Sequence, residues 1–277
     1  MQKSKVRFNH SINHIILIVF SIVSIYPIFW IITASLKTRE QYLQNKIGVS
    51  WPFTFKSILA ALESANFFRW ILNSVVITGC SVILVTVISI AAAYALTKLK
   101  IAGKNFIMNV SIALMAIPVI ILLIPLYVFF ARLSLINSYS GIILIYTGIC
   151  APFSIYLLAS YFKDIPWEIL EAAVIDGCNS FGILTRIILP ISGPPIASLI
   201  IVNALWVWNE LLLALIFLPM DKAHTIMVGL TVQQSRFAIN VPLVVAGLLI
   251  SSLPLLILYF ALQRFFIKGL VAGAIKG

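Results

Sequence analysis

Six long apolar stretches, residues 14–35, 71–97, 105–131, 140–162, 191–218 and 243–267, alternate along the chain with segments that hold most of its charged side chains. Each reaches or exceeds the roughly 20 residues that an α-helix needs to cross a hydrocarbon core about 30 Å thick. The pattern predicts an all-α, polytopic membrane protein with six transmembrane helices in a single domain over residues 1–277. One long interruption, residues 163–190, is expected to be a helix-turn-helix outside the lipid.

Composition agrees. The chain is 62% hydrophobic and 10% charged, where soluble domains carry about a quarter charged residues. Its net charge of +11 does not indicate a nucleic-acid partner, because the 19 Lys and Arg are scattered among the short segments, with no basic helix or aromatic RNA motif. Cys80, Cys150 and Cys178 lack the paired spacing of a disulfide framework or metal site and read as small packing residues. The first stretch follows Lys3, Lys5 and Arg7 as a signal peptide would, with Thr33, Ala34 and Ser35 as a weak cleavage site. At 22 residues it is longer than a signal core, and it reads as an uncleaved first helix.

An even number of spans puts both ends on one side. With the termini inside, the inner segments hold eleven basic residues and the outer ones eight. That bias is slight, and the five basic residues of the first outer loop run against it, so charge alone leaves orientation open. The same loop, Leu36 to Trp70, carries Trp51, Phe53, Phe67 and Phe68, aromatics suited to the headgroup level. Pro27, Pro118, Pro125, Pro152 and Pro254 lie in or near spans and imply kinked helices, or a bent lining of a pathway.

Residues 164–177 read Asp-Ile-Pro-Trp-Glu-Ile-Leu-Glu-Ala-Ala-Val-Ile-Asp-Gly and carry helix punctuation at both ends. Pro166 suits the first helical position, Asp164 and Glu168 place negative charge near the positive end of the dipole, and Gly177 suits the left-handed residue that stops a helix. A helix over 166–176 is predicted, then a second one capped by Asn179 or Ser180 and ending at Leu189 before Pro190. Asp164, Glu168, Glu171, Asp176, Lys163 and Arg186 would each cost a few kcal/mol near a bilayer centre, so the pair belongs at the surface. Ala172 and Ala173 are small enough for a partner to approach the backbone, while Glu171 and Asp176 fix its orientation by charge.

Glu171-Ala172-Ala173, Asp176-Gly177 and Leu189-Pro190 together resemble the EAA signature of ABC importer permeases, whose surface helix docks into a cleft of the ATPase subunit. Ile124-Pro125-Leu126-Tyr127, Leu133-Ser134-Leu135-Ile136-Asn137, Trp208-Asn209-Glu210 and the tail from Gln263 to Gly277 are similar to the carbohydrate-uptake branch, especially its second permease subunit of maltose and glycerol-phosphate type. Two departures stand out: Ser134 occupies a position where that family usually has glycine, and Thr97-Lys98 replaces a small-Arg pair. The resemblance implies that the EAA segment and both termini face the cytoplasm of a bacterial cell, in its cytoplasmic membrane. It implies as partners a second permease subunit, two ATP-binding subunits and an extracytoplasmic solute-binding protein, beside the lipid bilayer and no nucleic acid. It also implies ATPase coupling by Glu171, Ala172, Ala173, Asp176, Gly177, Leu189 and Pro190, and transport of a sugar or related polyol by alternating access. Gly103-Lys104-Asn105 lacks the flanking residues of a phosphate-binding loop. No cofactor is therefore expected on this chain, with ATP and Mg used by the partner ATPase, and no catalytic or metal-binding residue is expected either.

Glu210, beside Trp206, Trp208 and Asn209, is the one acid expected at membrane depth. With Asn209 it is a candidate for the translocation pathway or for an interhelical hydrogen bond to the partner permease. Lys268, Gly273 and Lys276 in the basic, glycine-rich tail are candidates for a secondary ATPase contact or a positive-inside anchor. His10, His14 and His224 have no ligand-spaced companions, and Asp221 with His224 reads as an external loop pair. Two rivals remain at this point. An ion-gradient-driven secondary transporter would need buried acids at midplane, which Glu210 alone supplies, and a membrane scaffold or enzyme would show no transport coupling.

Overall fold

In hydrocarbon every backbone N–H and C=O must be satisfied within the chain, and apolar runs of this length do so as helices. The computed structural model describes residues 2–64, 66–236 and 240–274. The described residues contain helices and no strand: α1 (Gln2–Ser35), α2 (Arg39–Gln44), α3 (Lys56–Leu62), α4 (Phe67–Lys98), α5 (Lys104–Met115), α6 (Val119–Arg132), α7 (Tyr139–Lys163), α8 (Trp167–Ile175), α9 (Ser180–Ile183), α10 (Leu189–Ile191), α11 (Gly193–Asn209), α12 (Leu212–Phe217), α13 (Ile226–Arg236) and α14 (Val241–Ala274). A π-helical turn, Leu184–Ile188, joins α9 to α10.

Four of these helices are long and apolar enough to cross a membrane: Ile16–Ser35 of α1, all of α4, all of α7, and Val241–Arg264 of α14. The number rises to six if each of two bent pairs counts as one span. The stretch 105–131 is one such pair. Helix α5 ends at Met115 and α6 restarts after Pro118, with a bend of 104°. Proline disfavours helical geometry in the residue before it, so the break falls where Pro118 dictates. The stretch 191–218 is likewise not one helix: α11 stops at Asn209, Glu210 is extended with ψ 125°, and α12 begins at Leu212.

Two compact units divide the chain, one of Met1–Phe68 with Leu230–Leu253 and one of Arg69–Gly229 with Pro254–Gly277. In the first, the segment after α1 wraps around Lys37. Its ammonium donates to the carbonyls of Asn45, at 2.8 Å, and Gly48, while its own carbonyl accepts from Ser57 Oγ at 2.8 Å. A reciprocal capping box between Thr38 and Gln41 starts α2. Along α1, Leu17, Phe20 and Val23 are exposed, as expected of a helix whose solvent is lipid.

The second unit is organised around α7, which packs against α5, α6, α11 and α12. Residues on every side of α7, from Ile142 and Tyr146 to Leu158 and Phe162, are buried, and a helix apolar all round is a core helix. Inside it Asn203 Nδ2 of α11 donates to Ser154 Oγ at 2.8 Å, a buried polar link between helices. Helices α4 and α7 run in the same direction and are fastened at both ends. At their starts Tyr139 Oη donates to Asn73 Oδ1 at 2.6 Å, and at their far ends Lys98 Nζ donates to the carbonyl of Ile165, just after α7, at 2.8 Å. The intervening α5–α6 pair supplies the return path.

Candidate functional site

The end of the second unit beyond Lys98 and Lys163 carries α8, and the local sequence explains its geometry. Pro166 is extended, with ψ 139°, and gives way to helix at Trp167. At the other end Gly177 adopts φ +83°. The amide of Cys178 bonds the carbonyl of Ala173 at 2.9 Å and that of Gly177 bonds Val174 at 3.0 Å. This pair of bonds is the Schellman stop, which needs a left-handed residue where Gly177 stands. Asn179 then caps α9, accepting from the Gly182 amide at 2.8 Å.

One face of α8 is inward. Leu170 and Ala173 are buried in a cluster with Tyr94, Leu158, Phe162, Ile165 and Ile188. The opposite face presents Glu171 and Ala172, followed by Asp176 and Gly177, all exposed. The two alanines therefore have different surroundings: Ala172 is open to a partner, and Ala173 lets the helix seat closely on its own core. Beside Glu171 runs an apolar groove of about 440 Å³ between the end of α4 and α8–α9, lined by Tyr94, Val174, Ile175 and Ile183 among others. Ile175 and Phe181 on its flank are 86% and 73% exposed. An uncovered apolar patch rimmed by charge is the kind of surface that a partner or a membrane can cover.

Lys98 anchors this surface from beneath. Besides donating to Ile165, its ammonium lies over the Trp167 ring, 4.8 Å from the centroid. In the sequence Lys98 stands out only as an inner basic residue and as half of the Thr97-Lys98 departure from the family's small-Arg pair; its place at the end of α4, facing the entry to the surface segment, is the further signal. Leu189 is half-buried and Pro190 exposed, and the second surface helix does not end at Leu189. A π-turn precedes α10, which runs through Pro190 to Ile191, before a 78° bend into α11. Proline lacks a donor and crowds the preceding turn, and the wider i→i+5 winding, closed by the Leu189 amide on the Leu184 carbonyl, relieves both.

Glu210 sits at the α11–α12 break. Its carboxylate accepts from Tyr146 Oη at 2.7 Å and from the amides of Leu213 and Ala214 at 2.8 and 3.0 Å. These are orphan donors of the first turn of α12, which a carboxylate both satisfies and stabilises through the helix dipole. Tyr146 is fully buried and packs edge-on to Trp206, with ring centroids 5.8 Å apart. Asn209 is exposed and its side chain donates to the Leu205 carbonyl. The break itself went unread because the apolar run continues through it, although an acid in mid-run was a sign of a helix end.

At the opposite end of α4, Asn73 gathers the loop after α12, donating to the carbonyls of Lys222 and His224 at 3.0 and 2.8 Å. Asp221 and His224 lie 3.4 Å apart there, as the loop pair expected. Asn73 and Tyr139 were missed altogether. Asn137 of the Leu-Ser-Leu-Ile-Asn stretch accepts from the Met220 amide, and its own amide donates to the Phe217 carbonyl at 2.8 Å. Lys268, Gly273 and Lys276 lie outside the residues whose side chains the structure describes.

The family model "Binding-protein-dependent transport system inner membrane component" matches residues 85–271. The chain is 31% identical to the arabinooligosaccharides transport system permease protein AraQ of Halalkalibacterium halodurans, over 92% of each chain. It is 32% identical to the sulfoquinovosyl glycerol transport system permease protein SmoH of Agrobacterium fabrum, over 91% of this chain and 89% of that one. Among solved structures, the fold matches a chain of a bacterial ABC transporter involved in the import of the acidic polysaccharide alginate. The TM-score is 0.82 at 23% identity, covering 94% of this chain and 97% of that one.

Proposed function

This chain belongs to the family of binding-protein-dependent transport system inner membrane components, and from that premise we propose that it is one of two permease subunits of an ATP-driven importer for a sugar or related polyol. The sugar class rests on the arabinooligosaccharide and sulfoquinovosyl glycerol permeases to which the chain is similar. Importers of this family combine membrane subunits, ATPase subunits and a solute-binding protein; here we infer a pair of ATP-binding subunits, with ATP and Mg held by them and not by this chain. We further infer six spans, with α5 and α6 together forming one and α11 with α12 another, and both termini and residues 163–190 in the cytoplasm.

The observation that carries the reading is α8: a short helix with a Schellman stop at Gly177, exposing Glu171, Ala172 and Asp176, and tied to the end of α4 through Lys98. In the proposed cycle, closure of the ATPase pair pushes this helix, and the push passes into α4 and α7 and rocks the spans against the partner permease. Glu171, Ala172, Asp176 and Gly177 make the docking contact, Ala173 seats the helix, and Leu189 with Pro190 set the return to the membrane. Lys268, Gly273 and Lys276 are proposed as a secondary contact. A gradient-driven mechanism finds no support in Glu210, whose carboxylate is already engaged by Tyr146 and two amides; we assign Glu210 to fastening the α11–α12 break and not to holding the solute.

The test is ATP-dependent uptake in proteoliposomes carrying the whole complex, comparing wild type with Glu171→Lys and Gly177→Pro. Loss of uptake with weakened or uncoupled ATPase is expected. Full activity of both variants, with the ATPase still co-purifying, would overturn the docking role.

A further inference from the structure

A second cavity, of about 510 Å³, opens between the ends of α4, α5 and α7, on the end of the unit that carries α8. Lys98, Lys104 and Lys163 line it, together with Asn105, Tyr156 and Ser160. Among the described residues, neither Lys104 nor Lys163 makes a hydrogen bond or ion pair, and the side chains of Asn105, Tyr156 and Ser160 are equally unengaged. Asp164 interacts electrostatically with Lys98 but does not line the cavity. Two unpaired ammonium groups, a third that is only partly committed, and three neutral donors therefore converge on one space without a carboxylate among its lining residues. Such a set is satisfied by an anion with several acceptor oxygens, which a phosphate group offers.

The position of the lysines identifies the source of that phosphate. Lys98 and Lys163 are the last residues of two membrane-length helices, and Lys104 is the first residue of a helix in a bent pair long enough to span. All three stand at one boundary of the apolar zone, where lipid headgroups lie and where basic pockets between helices take acidic lipids. Leu96, Met108, Ala159 and Trp167 give the cavity an apolar floor, and Thr97, which also lines it, spends its hydroxyl on the Ala93 carbonyl. Phe106 beside it on α5 is 72% exposed, which leaves room along the helix for acyl chains. A free phosphate has no use for that floor. We propose that this cavity binds the headgroup phosphate of an anionic phospholipid. Because Lys98 and Trp167 line the same cavity and also hold the start of α8, the lipid is placed to steady the surface segment whatever its cytoplasmic partner.

The experiment uses the complete importer in detergent, titrated with short-chain phosphatidylglycerol, short-chain phosphatidylcholine and inorganic phosphate, with binding read by native mass spectrometry. Wild type is expected to bind phosphatidylglycerol in preference to phosphatidylcholine, and Lys104→Gln/Lys163→Gln to weaken it by about thirtyfold. Lys104→Arg/Lys163→Arg, which preserves charge, is expected to keep binding and so separates charge loss from misfolding. Equal binding of phosphatidylglycerol by wild type and the Gln pair would overturn the site. Binding of inorganic phosphate that depends on the two lysines, without preference for phosphatidylglycerol, would overturn the lipid as its occupant.

Discussion

The hydroxyl of Tyr146 donates to the carboxylate of Glu210 at 2.7 Å, across the point where α11 gives way to α12. A fully buried phenol and a carboxylate together close a break that hydropathy leaves invisible. Tyr146→Phe removes one of three bonds to the carboxylate and is expected to lower stability by about 1–2 kcal/mol. Glu210→Ala strands the phenol and two amides together and is expected to lower it by several kcal/mol. Thermal denaturation of the purified complex measures both; equal melting temperatures for Glu210→Ala and wild type would show that the carboxylate does not fasten the break.

Two Schellman stops, one built on Gly177 and one on Ser134, give opposite predictions. Ser134 has φ +56°, and its amide and that of Leu135 close on Ala131 and Phe130. The left-handed conformation costs a non-glycine residue about 1–2 kcal/mol, whereas glycine's extra backbone entropy costs about 0.5–1. Strain outweighs entropy, so Ser134→Gly is expected to raise stability by roughly 0.5–1 kcal/mol. Gly177→Ala is expected to loosen the end of α8, read as faster amide exchange at Cys178, with uptake falling more than ATPase activity.

Lys98 predicts a coupling phenotype away from the docking face. Lys98→Met leaves the Ile165 carbonyl without its charged donor, a loss of about 1.5–3 kcal/mol at that position. ATP-dependent uptake is expected to fall while the variant complex still assembles, because the contact surface is intact but its mount is not. Wild-type coupling in this variant would detach α8 from α4.

Gly229 meets the indole of Trp70 so closely that a Cβ would fall 2.2 Å from the ring. Gly229→Ala is therefore expected to destabilise by about 1–3 kcal/mol through overpacking. Adding Trp70→Leu makes room, so the double variant should be less destabilised than the sum of the two single ones, a coupling that a double-mutant cycle measures.

The apolar stretches, the punctuation of α8 and the surface placement of Glu171, Ala172 and Asp176 were legible in the sequence because each is written in contiguous residues: length, proline, glycine and charge. What was not legible depends on partners far apart in the chain. Lys98 reads as a basic residue in a pair that departs from the family's, with no role attached, until Ile165 and Trp167 are brought beside it, and Asn73 reads as an incidental polar residue until Tyr139, Lys222 and His224 surround it. The breaks after Met115 and Asn209 were hidden for another reason. Hydropathy averages over a window, and neither Pro118 nor Glu210 lowers that average enough to divide a run. Ser134 lies between the two cases: its departure from a family glycine was visible, but only φ +56° gives that departure a direction in stability.

Helices α4 and α7, aligned and pinned at both extremities, behave mechanically as two struts of a braced frame. Struts joined at one end can splay about that joint; struts joined at both cannot without breaking a pin. A thrust delivered near Ile165 would be denied the option of splaying α7 from α4, and is expected to reach Asn73 and Tyr139 on the far side as a change of tilt shared by the pair.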